Sequence, residues 1–197
     1  MNFVEVLLVQ RPKIYLDTSV ISHLEQQDAS DKMFDSRLLW EELKQGKHKV
    51  YISEVVTREI AKNKREKQTI LTFWLADIEP TIIEISPEIE AYADALIKEC
   101  VLPPKSRDDC LQIACTVIGK CDMLLSWNFK HMVKIKTIDG VKIVSKRLGY
   151  DEMRWQGFQT VPNDIQQSHL SPMNTGKTPL KLLNLYRLSL VDNTLYS

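Results

Sequence analysis

Short runs of β-branched and aliphatic residues recur through the first 150 positions of the chain, and each predicts a β-strand. Between these runs, apolar residues repeat every three or four positions, which is typical of amphipathic helices. The predicted strands are 13–17, 49–53, 81–85, 123–127 and 141–145. Strands that alternate with helices favour an α/β domain built around a mainly parallel sheet.

Four helices are predicted between these strands. The first spans residues 31–45 and stops at Gly46, and the second is capped by Ser53 and continues into the seventies. Two later helices begin near Pro87 and Asp108. Their apolar stripes are Ile89, Tyr92, Ala93 and Leu96 in one, and Leu111, Ala114, Cys115 and Ile118 in the other.

The chain changes character after Tyr150. From residue 158 to residue 179, fourteen of the 22 residues are Pro, Gly, Ser, Thr, Asn or Gln, a composition that cannot bury much apolar surface. The segment that follows, 180–191, is apolar again and is ambiguous between helix and strand. We therefore predict an N-terminal extension (1–12), one folded domain (13–150) and an atypical, partly disordered C-terminal tail (151–197).

Overall charge gives no sign of a nucleic-acid partner, because Lys plus Arg and Asp plus Glu each number 26. The charge is nevertheless uneven. Between Lys44 and Lys67, eight basic residues accompany three acidic ones. Such a segment is either the solvated face of helices or a basic rim beside a site that handles a polyanion.

The first ten residues do not predict a signal peptide, because they lack a basic start and carry Glu5 within a short apolar run. No apolar stretch approaches the roughly 18 residues that a membrane span requires. We expect a cytoplasmic protein that does not contact a membrane.

The four cysteines do not predict a metal site. Cys100, Cys110, Cys115 and Cys121 contain no CxxC pair. On one helix, Cys110 and Cys115 would point about 140° apart, which disfavours a shared zinc ion. We expect buried free thiols in a reducing compartment.

Two polar residues come directly after predicted strands, where a parallel sheet presents its ligand-binding edge. Asp17 ends the first strand in "KIYLDTSVIS", and Asn128 follows "MLLSW". Each also has a structural explanation. Asp17 or Ser19 would serve as the N-cap of a following helix, and Asn128 would form a turn.

Further acids lie on the helices. Glu59 borders the apolar stripe of its helix, although it is also well placed as a surface partner of nearby basic residues. In "SRDD", Ser106 and Asp109 have the spacing of a capping box. Periodicity alone does not choose between Asp108 and Asp109 as the residue that faces a site.

Together these residues predict a site for a hard divalent cation. Mg²⁺ takes oxygen ligands, usually one or two carboxylates, and leaves positions for water and phosphate. Such an ion lowers the pKa of bound water and neutralises the charge that develops on a phosphodiester.

Four segments, in their order and spacing, resemble the PIN-domain ribonucleases, particularly the VapC-like toxins of bacterial toxin–antitoxin pairs. These segments are "YLDTSVIS", "YISEVVTREI", "DDCLQIACTVIGKCDMLLSWNFKHM" and "RLGY". The resemblance covers about residues 13–150 and implies a PIN-like, three-layer α/β/α sandwich for this domain. It also implies a metal-dependent endoribonuclease with Mg²⁺ or Mn²⁺, an RNA substrate, homodimerisation and a cognate antitoxin protein.

The resemblance assigns roles to five residues. Asp17, Glu59 and Asp109, rather than Asp108, match the metal-binding acids of the family. Asn128 matches a fourth polar position, and Ser126 matches a threonine or serine two residues before it.

This sequence departs from the family pattern at two of its positions. Gln112 stands where close relatives usually carry His, and the fourth position is Asn128 instead of an acid. These differences motivate an alternative function, a catalytically weak RNA-binding or regulatory protein on the same fold. A receiver-like phosphoacceptor site is disfavoured, because "LDTS" lacks the adjacent acidic pair that such a site uses.

Overall fold

The computed structural model describes residues 11–128, 131–132, 134–151 and, for the backbone, 154–157. The predicted N-terminal extension (1–12) therefore lies almost wholly outside the described residues. The same is true of the tail (151–197) from residue 158 onward.

A parallel sheet forms the centre of the domain, as predicted. Its strands are β1 (Lys13–Leu16), β2 (Lys49–Ser53), β3 (Thr81–Ile83), β4 (Met123–Ser126) and β5 (Arg154–Gly157). In the described part of the chain they lie in the order β3-β2-β1-β4-β5, and every neighbouring pair is parallel. Four of the five predicted strands are therefore present.

Helices cover both faces of this sheet. They are α1 (Thr18–Ser22), α2 (Ser30–Lys44), α3 (Glu54–Ala61), α4 (Arg65–Ala76), α5 (Pro87–Lys98), α6 (Arg107–Ile118) and α7 (Ile135–Leu148). Helices α1–α4 connect β1 to β2 and β2 to β3, whereas α5–α7 lead back across the sheet to β4 and β5. Right-handed crossovers therefore place the two groups on opposite faces. The predicted three-layer α/β/α sandwich with a mainly parallel sheet is confirmed.

The core lies around the two central strands. Tyr15 and Leu16 of β1, and Leu124 and Leu125 of β4, have no exposed surface, because helices cover both sides of these strands. Helix α6 packs against α5 and is buried continuously over residues 110–117. Its chemistry-bearing side chains are therefore held in fixed positions.

The prediction of a strand at residues 141–145 was wrong, because this segment belongs to α7. Thr137, Val141, Val144 and Ser145 are buried at helical spacing, whereas Ile143 is 68% exposed. The segment is therefore part of an amphipathic helix, and its β-branched residues explain why its sequence looked like that of a strand.

The helix that was predicted to run from Ser53 into the seventies is two helices. Helix α3 ends at Ala61, where the side-chain amide of Asn63 donates to the carbonyls of Glu59 and Ile60 and competes with further helix. The Ser53 side chain does not cap α3. Its hydroxyl instead shares a 2.7 Å hydrogen bond with the hydroxyl of Tyr15.

None of the helices in the described ranges is long and apolar enough to cross a membrane.

One glycine is explained by close packing. Gly140 lies inside α7, where glycine is normally unfavourable. A Cβ atom at this position would lie 2.8 Å and 2.9 Å from the two methyl carbons of Val101. Gly140 therefore allows α7 to approach the segment that follows α5.

We predict that Gly140→Ala lowers the free energy of unfolding by about 1–3 kcal/mol, the usual cost of overpacking. Val101 is stiff at χ1 and cannot rotate its methyl groups away without strain. Urea denaturation followed by circular dichroism measures the change.

Val101→Ala provides the matched background, because it removes the two methyl groups that a new Cβ would meet. In that background Gly140→Ala should be clearly less destabilising, because only the Cβ of residue 101, 3.3 Å away, remains close. Equal destabilisation in both backgrounds would contradict the packing explanation.

Candidate active site at the carboxyl edge of the sheet

The carboxyl ends of β1 and β4 meet where the strand order reverses. From β1 the chain proceeds to β2 on one side, and from β4 it proceeds to β5 on the other. Such a switch point leaves a crevice between the outgoing connections. The backbone N–H of Asp17 donates to the carbonyl of Leu125 at 3.1 Å and joins the two strands at this edge.

Asp17 is buried at the switch point, with 4% of its surface exposed. Its Oδ2 atom accepts hydrogen bonds from Ser19 Oγ at 2.5 Å and from Ser126 Oγ at 2.6 Å. Asp17 occupies the N-cap position of α1, but its side chain makes no capping hydrogen bond. The geometry therefore does not support helix capping as the role of this carboxylate.

The same two hydroxyls also fix the turn after β4. Ser19 Oγ accepts from the backbone N–H of Trp127, and Ser126 Oγ accepts from that of Asn128, both at 2.9 Å. Each serine hydroxyl thus accepts a hydrogen bond from the turn through a lone pair and donates its proton to Asp17. The position of Asn128 is consequently tied to that of Asp17.

Asn128 connects this turn to helix α6. Its Nδ2 donates to Asp109 Oδ1 at 3.2 Å, and its Oδ1 accepts from the backbone N–H of His131 at 3.2 Å. Asn128 therefore acts both as the turn former of the structural reading and as a partner of a predicted site acid.

The geometry also distinguishes Asp109 from Asp108. Asp109 faces Asn128, whereas Asp108 forms an ion pair with Arg58 at 3.1 Å and its side chain is 43% exposed. Ser106 makes no capping hydrogen bond to α6, and its side chain instead lowers the pKa of Asp109. The predicted capping box is therefore absent, and Asp109 faces the other site residues.

Burial raises the pKa of Asp109, and the negative charge of Asp17 raises it further, against the lowering effect of His131 and Ser106. The pKa of Glu59 is raised by burial and by the charges of Asp17, Asp108 and Asp109, although a hydrogen bond from Thr18 opposes this shift. The negative charge of Asp17 therefore raises the pKa values of both Glu59 and Asp109. The structure places the three predicted acids in one electrostatic cluster.

Glu59 is bonded by side chains of α1 and α6. Its Oε2 accepts a short hydrogen bond from Thr18 Oγ1 and a longer one, 3.4 Å, from Gln112 Nε2. Gln112 is 2% exposed, and its Oε1 accepts from the hydroxyl of Tyr15 at 3.4 Å. Thus Gln112, which departs from the family pattern, links Glu59 to the buried face of β1.

Thr18, Ser19 and Gln112 had no predicted role in a site. Two signals were available. Thr18 and Ser19 follow Asp17 directly at a strand end, and Gln112 lies three residues after Asp109, on the same face of α6.

The ligand chemistry of this cluster suits a hard cation, because its donors are carboxylate, hydroxyl and amide oxygens. Within the described ranges, however, no group of three or more His, Cys, Asp or Glu side chains is close enough to hold a metal ion as it stands. The acids share an electrostatic environment and are held apart by Ser, Thr and Asn partners.

Thiolate ligation is disfavoured at this site. Burial raises the pKa of Cys110 to about 12, that of Cys115 to about 11 and that of Cys121 to about 12, so these thiols are protonated at neutral pH. All four cysteines are free, as predicted, but Cys100 is exposed and not buried.

Comparison with known proteins found a similar solved structure but no matching family. No protein-family model matches the chain, and no curated protein matches it. The crystal structure of VapBC2 from Rickettsia felis, bound to a DNA fragment from their promoter, is similar over 75% of this chain and 99% of that chain. The two are 16% identical in sequence, and the TM-score is 0.47.

The raised pKa values of Glu59 and Asp109 predict that their charges destabilise the fold. When a carboxyl pKa is higher in the folded state than in the unfolded chain, stability falls as the pH rises between those two values, and the loss persists above them. Glu59→Gln and Asp109→Asn should therefore raise Tm at about pH 8 without divalent metal, and the gain should vanish below about pH 3, where carboxyls are protonated.

Asp108→Asn is the matched control, because it relieves some repulsion on Glu59 and Asp109 but also removes the exposed ion pair with Arg58. Its Tm should stay unchanged or fall slightly in a thermal melt. A fall in the Tm of Glu59→Gln and Asp109→Asn at the higher pH would contradict the electrostatic account.

Proposed function

We propose that this chain is a metal-dependent endoribonuclease that hydrolyses RNA phosphodiester bonds. Asp17, Glu59 and Asp109 would hold Mg²⁺ or Mn²⁺. The observation that carries the proposal is the buried carboxylate of Asp17 at the switch point, whose charge acts on both other acids. Clusters of carboxylates with raised pKa values are typical of functional sites.

The arrangement suits hydrolysis of a phosphodiester. A bound divalent ion would supply Lewis acidity and an activated water at neutral pH. Two hydroxyl groups donate hydrogen bonds to Oδ2 of Asp17 and fix the orientation of its carboxylate. The lone pairs that are not used in these bonds therefore have fixed directions. Whichever of Glu59 and Asp109 does not bind the ion directly would accept a proton from water.

Ser126 and Asn128 act in this proposal by positioning. Ser126 holds Asp17 at 2.6 Å, and Asn128 holds Asp109 at 3.2 Å. Ser126 and Asn128 lie at opposite ends of one turn, so the turn couples the position of Asp17 to that of Asp109. The amide of Asn128 also adds no negative charge to a cluster that already contains three acids.

Only part of the basic segment fits a role in RNA binding. Lys49 opens β2 opposite Lys13, and Lys44 pairs with Glu41 and Asp77, which places these lysines at the amino edge of the sheet. Arg58 lies at the other edge, beside Asp108. The half of the segment that begins at Arg58 is therefore the candidate guide for the RNA backbone.

Partners follow from the sequence resemblance to VapC-like toxins. It supports RNA as the substrate, a role as the toxin of a toxin–antitoxin pair, a cognate antitoxin protein, a homodimer and a cytoplasmic location.

Asn128 favours a second candidate function, a catalytically weak RNA-binding or regulatory protein. Its side-chain amide occupies the fourth family position and donates to Asp109, where an acid would provide another ligand. This candidate predicts RNA binding without turnover when the metal is present.

We predict that purified protein cleaves RNA with Mg²⁺ or Mn²⁺, and that Asp17→Asn slows cleavage by at least ~10²-fold, the usual cost of removing one preorganised electrostatic group. Asp108→Asn should cleave normally, because the Asp108 side chain is 43% exposed and pairs with Arg58. Cleavage of a total RNA pool, analysed by sequencing of the new ends, measures both rates, with EDTA as the metal-free control.

Equal activity of Asp17→Asn and wild type would contradict the assignment of Asp17. RNA binding without cleavage by folded wild-type protein at saturating metal would favour the second candidate function.

Metal should also stabilise the fold independently of any cleavage. At a concentration one hundred times its dissociation constant, a ligand that binds only the native state contributes about 2.7 kcal/mol. We predict that Mn²⁺ raises the Tm of wild type and Asp108→Asn, but has little effect on Asp17→Asn. A similar rise in all three proteins would indicate metal binding elsewhere.

A further inference from the structure

A groove of about 450 Å³ lies between the segment after α5 and the start of α7. Its volume is in the range of pockets that hold small organic ligands. One wall is largely apolar, and the other carries three basic side chains. The wall residues that matter here are Val101, Pro103 and Pro104 on the first side, and His131, Lys134 and Lys136 on the second.

The groove adjoins the candidate active site through His131. The backbone N–H of His131 donates to Asn128 Oδ1 at 3.2 Å. The carbonyl of the same residue accepts from Thr137 Oγ1 at 2.7 Å, which ties it to α7. A strand that crosses the acid cluster would therefore enter the groove at His131.

The charge of the groove selects the class of ligand. None of the described lining residues is acidic. Lys134 and Lys136 are exposed and form no ion pair with any residue that the structure describes. Ammonium groups beside an apolar wall fit a nucleotide, with phosphate on the charged side and the flat base on the other.

Local packing fixes the shape of the groove. Val101 is packed closely against Gly140 of α7, and Cys100 adopts a left-handed backbone with φ of 56°. The wall is therefore held by the helix that also carries Lys136. A preformed site of this kind loses less entropy when a ligand binds.

We propose that this groove binds the nucleotide next to the scissile phosphate of single-stranded RNA and thereby selects where the chain is cut. The proposal rests on the proposed function for the identity of the strand. Unstacked bases are the part of RNA that proteins read most readily, and the apolar wall of Val101, Pro103 and Pro104 offers the face of such a base a contact surface.

The first test measures binding of a single-stranded RNA oligonucleotide to the Asp17→Asn protein, in which cleavage does not interfere. The variant Lys134→Ala/Lys136→Ala should bind more weakly and should lower the salt slope by about 1.4, roughly 0.7 for each phosphate of the single strand that is no longer neutralised. Lys142→Ala/Lys146→Ala is the matched control, because both lysines are exposed on α7 and neither lines the groove. The control pair should bind like its parent.

Cys100 gives a second test that does not depend on charge. It is the exposed cysteine of the four and it lines the groove. RNA should slow the reaction of Cys100 with a maleimide in proportion to the fraction of protein bound, and a bulky maleimide adduct should weaken RNA binding. Cys100→Ser, treated identically, should keep its affinity.

The outcomes separate this proposal from the proposed function. Equal loss of binding in the two lysine pairs, or labelling of Cys100 that RNA does not slow, would overturn the groove assignment whether or not the wild type cleaves RNA. Selective loss in the groove pair with protection of Cys100 would support it. If wild type then fails to cleave, the nuclease proposal fails and the groove remains an RNA site.

Discussion

The burial of one carboxylate at the end of the central strand determines how this site is built. Asp17 is 4% exposed, and an ionised group in such a place must be hydrogen-bonded. Its donors, Ser19 and Ser126, come from α1 and β4, and each also accepts a backbone N–H from the turn after β4. The strand order, the turn and Asn128 are therefore coupled to a single acid.

The negative charges clustered around Asp17 repel one another and destabilise the folded protein. Burial and mutual repulsion raise the pKa values of Glu59 and Asp109. Thr18 at Glu59, and His131 and Ser106 at Asp109, offset only part of this effect. A site that is under electrostatic strain in the free protein gains most from a cation, because the cation removes the repulsion. Because of the same repulsion, variants that replace Glu59 or Asp109 by an uncharged amide should gain stability while they lose function.

Sequence pattern predicted the sheet and the edge at which the site lies, because strand ends are local signals. The acid at position 17 and the amide at position 128 were found in this way. Periodicity failed at 141–145, where β-branched residues lie on a helix, and at Asn63, whose side chain ends α3. Periodicity did not separate Asp109 from Asp108, and the sequence resemblance pointed to Asp109. The hydrogen bond from Asn128 to Asp109 is a long-range contact that no local pattern encodes.

The most direct measurement is the anomalous diffraction of crystals soaked in Mn²⁺, because it locates the metal without reference to activity. The proposal predicts a peak within bonding distance of carboxylate oxygens of Asp17 and of at least one of Glu59 and Asp109. At saturating Mn²⁺, no peak at this edge of the sheet, or peaks only elsewhere, would contradict the central claim that these acids form a metal centre.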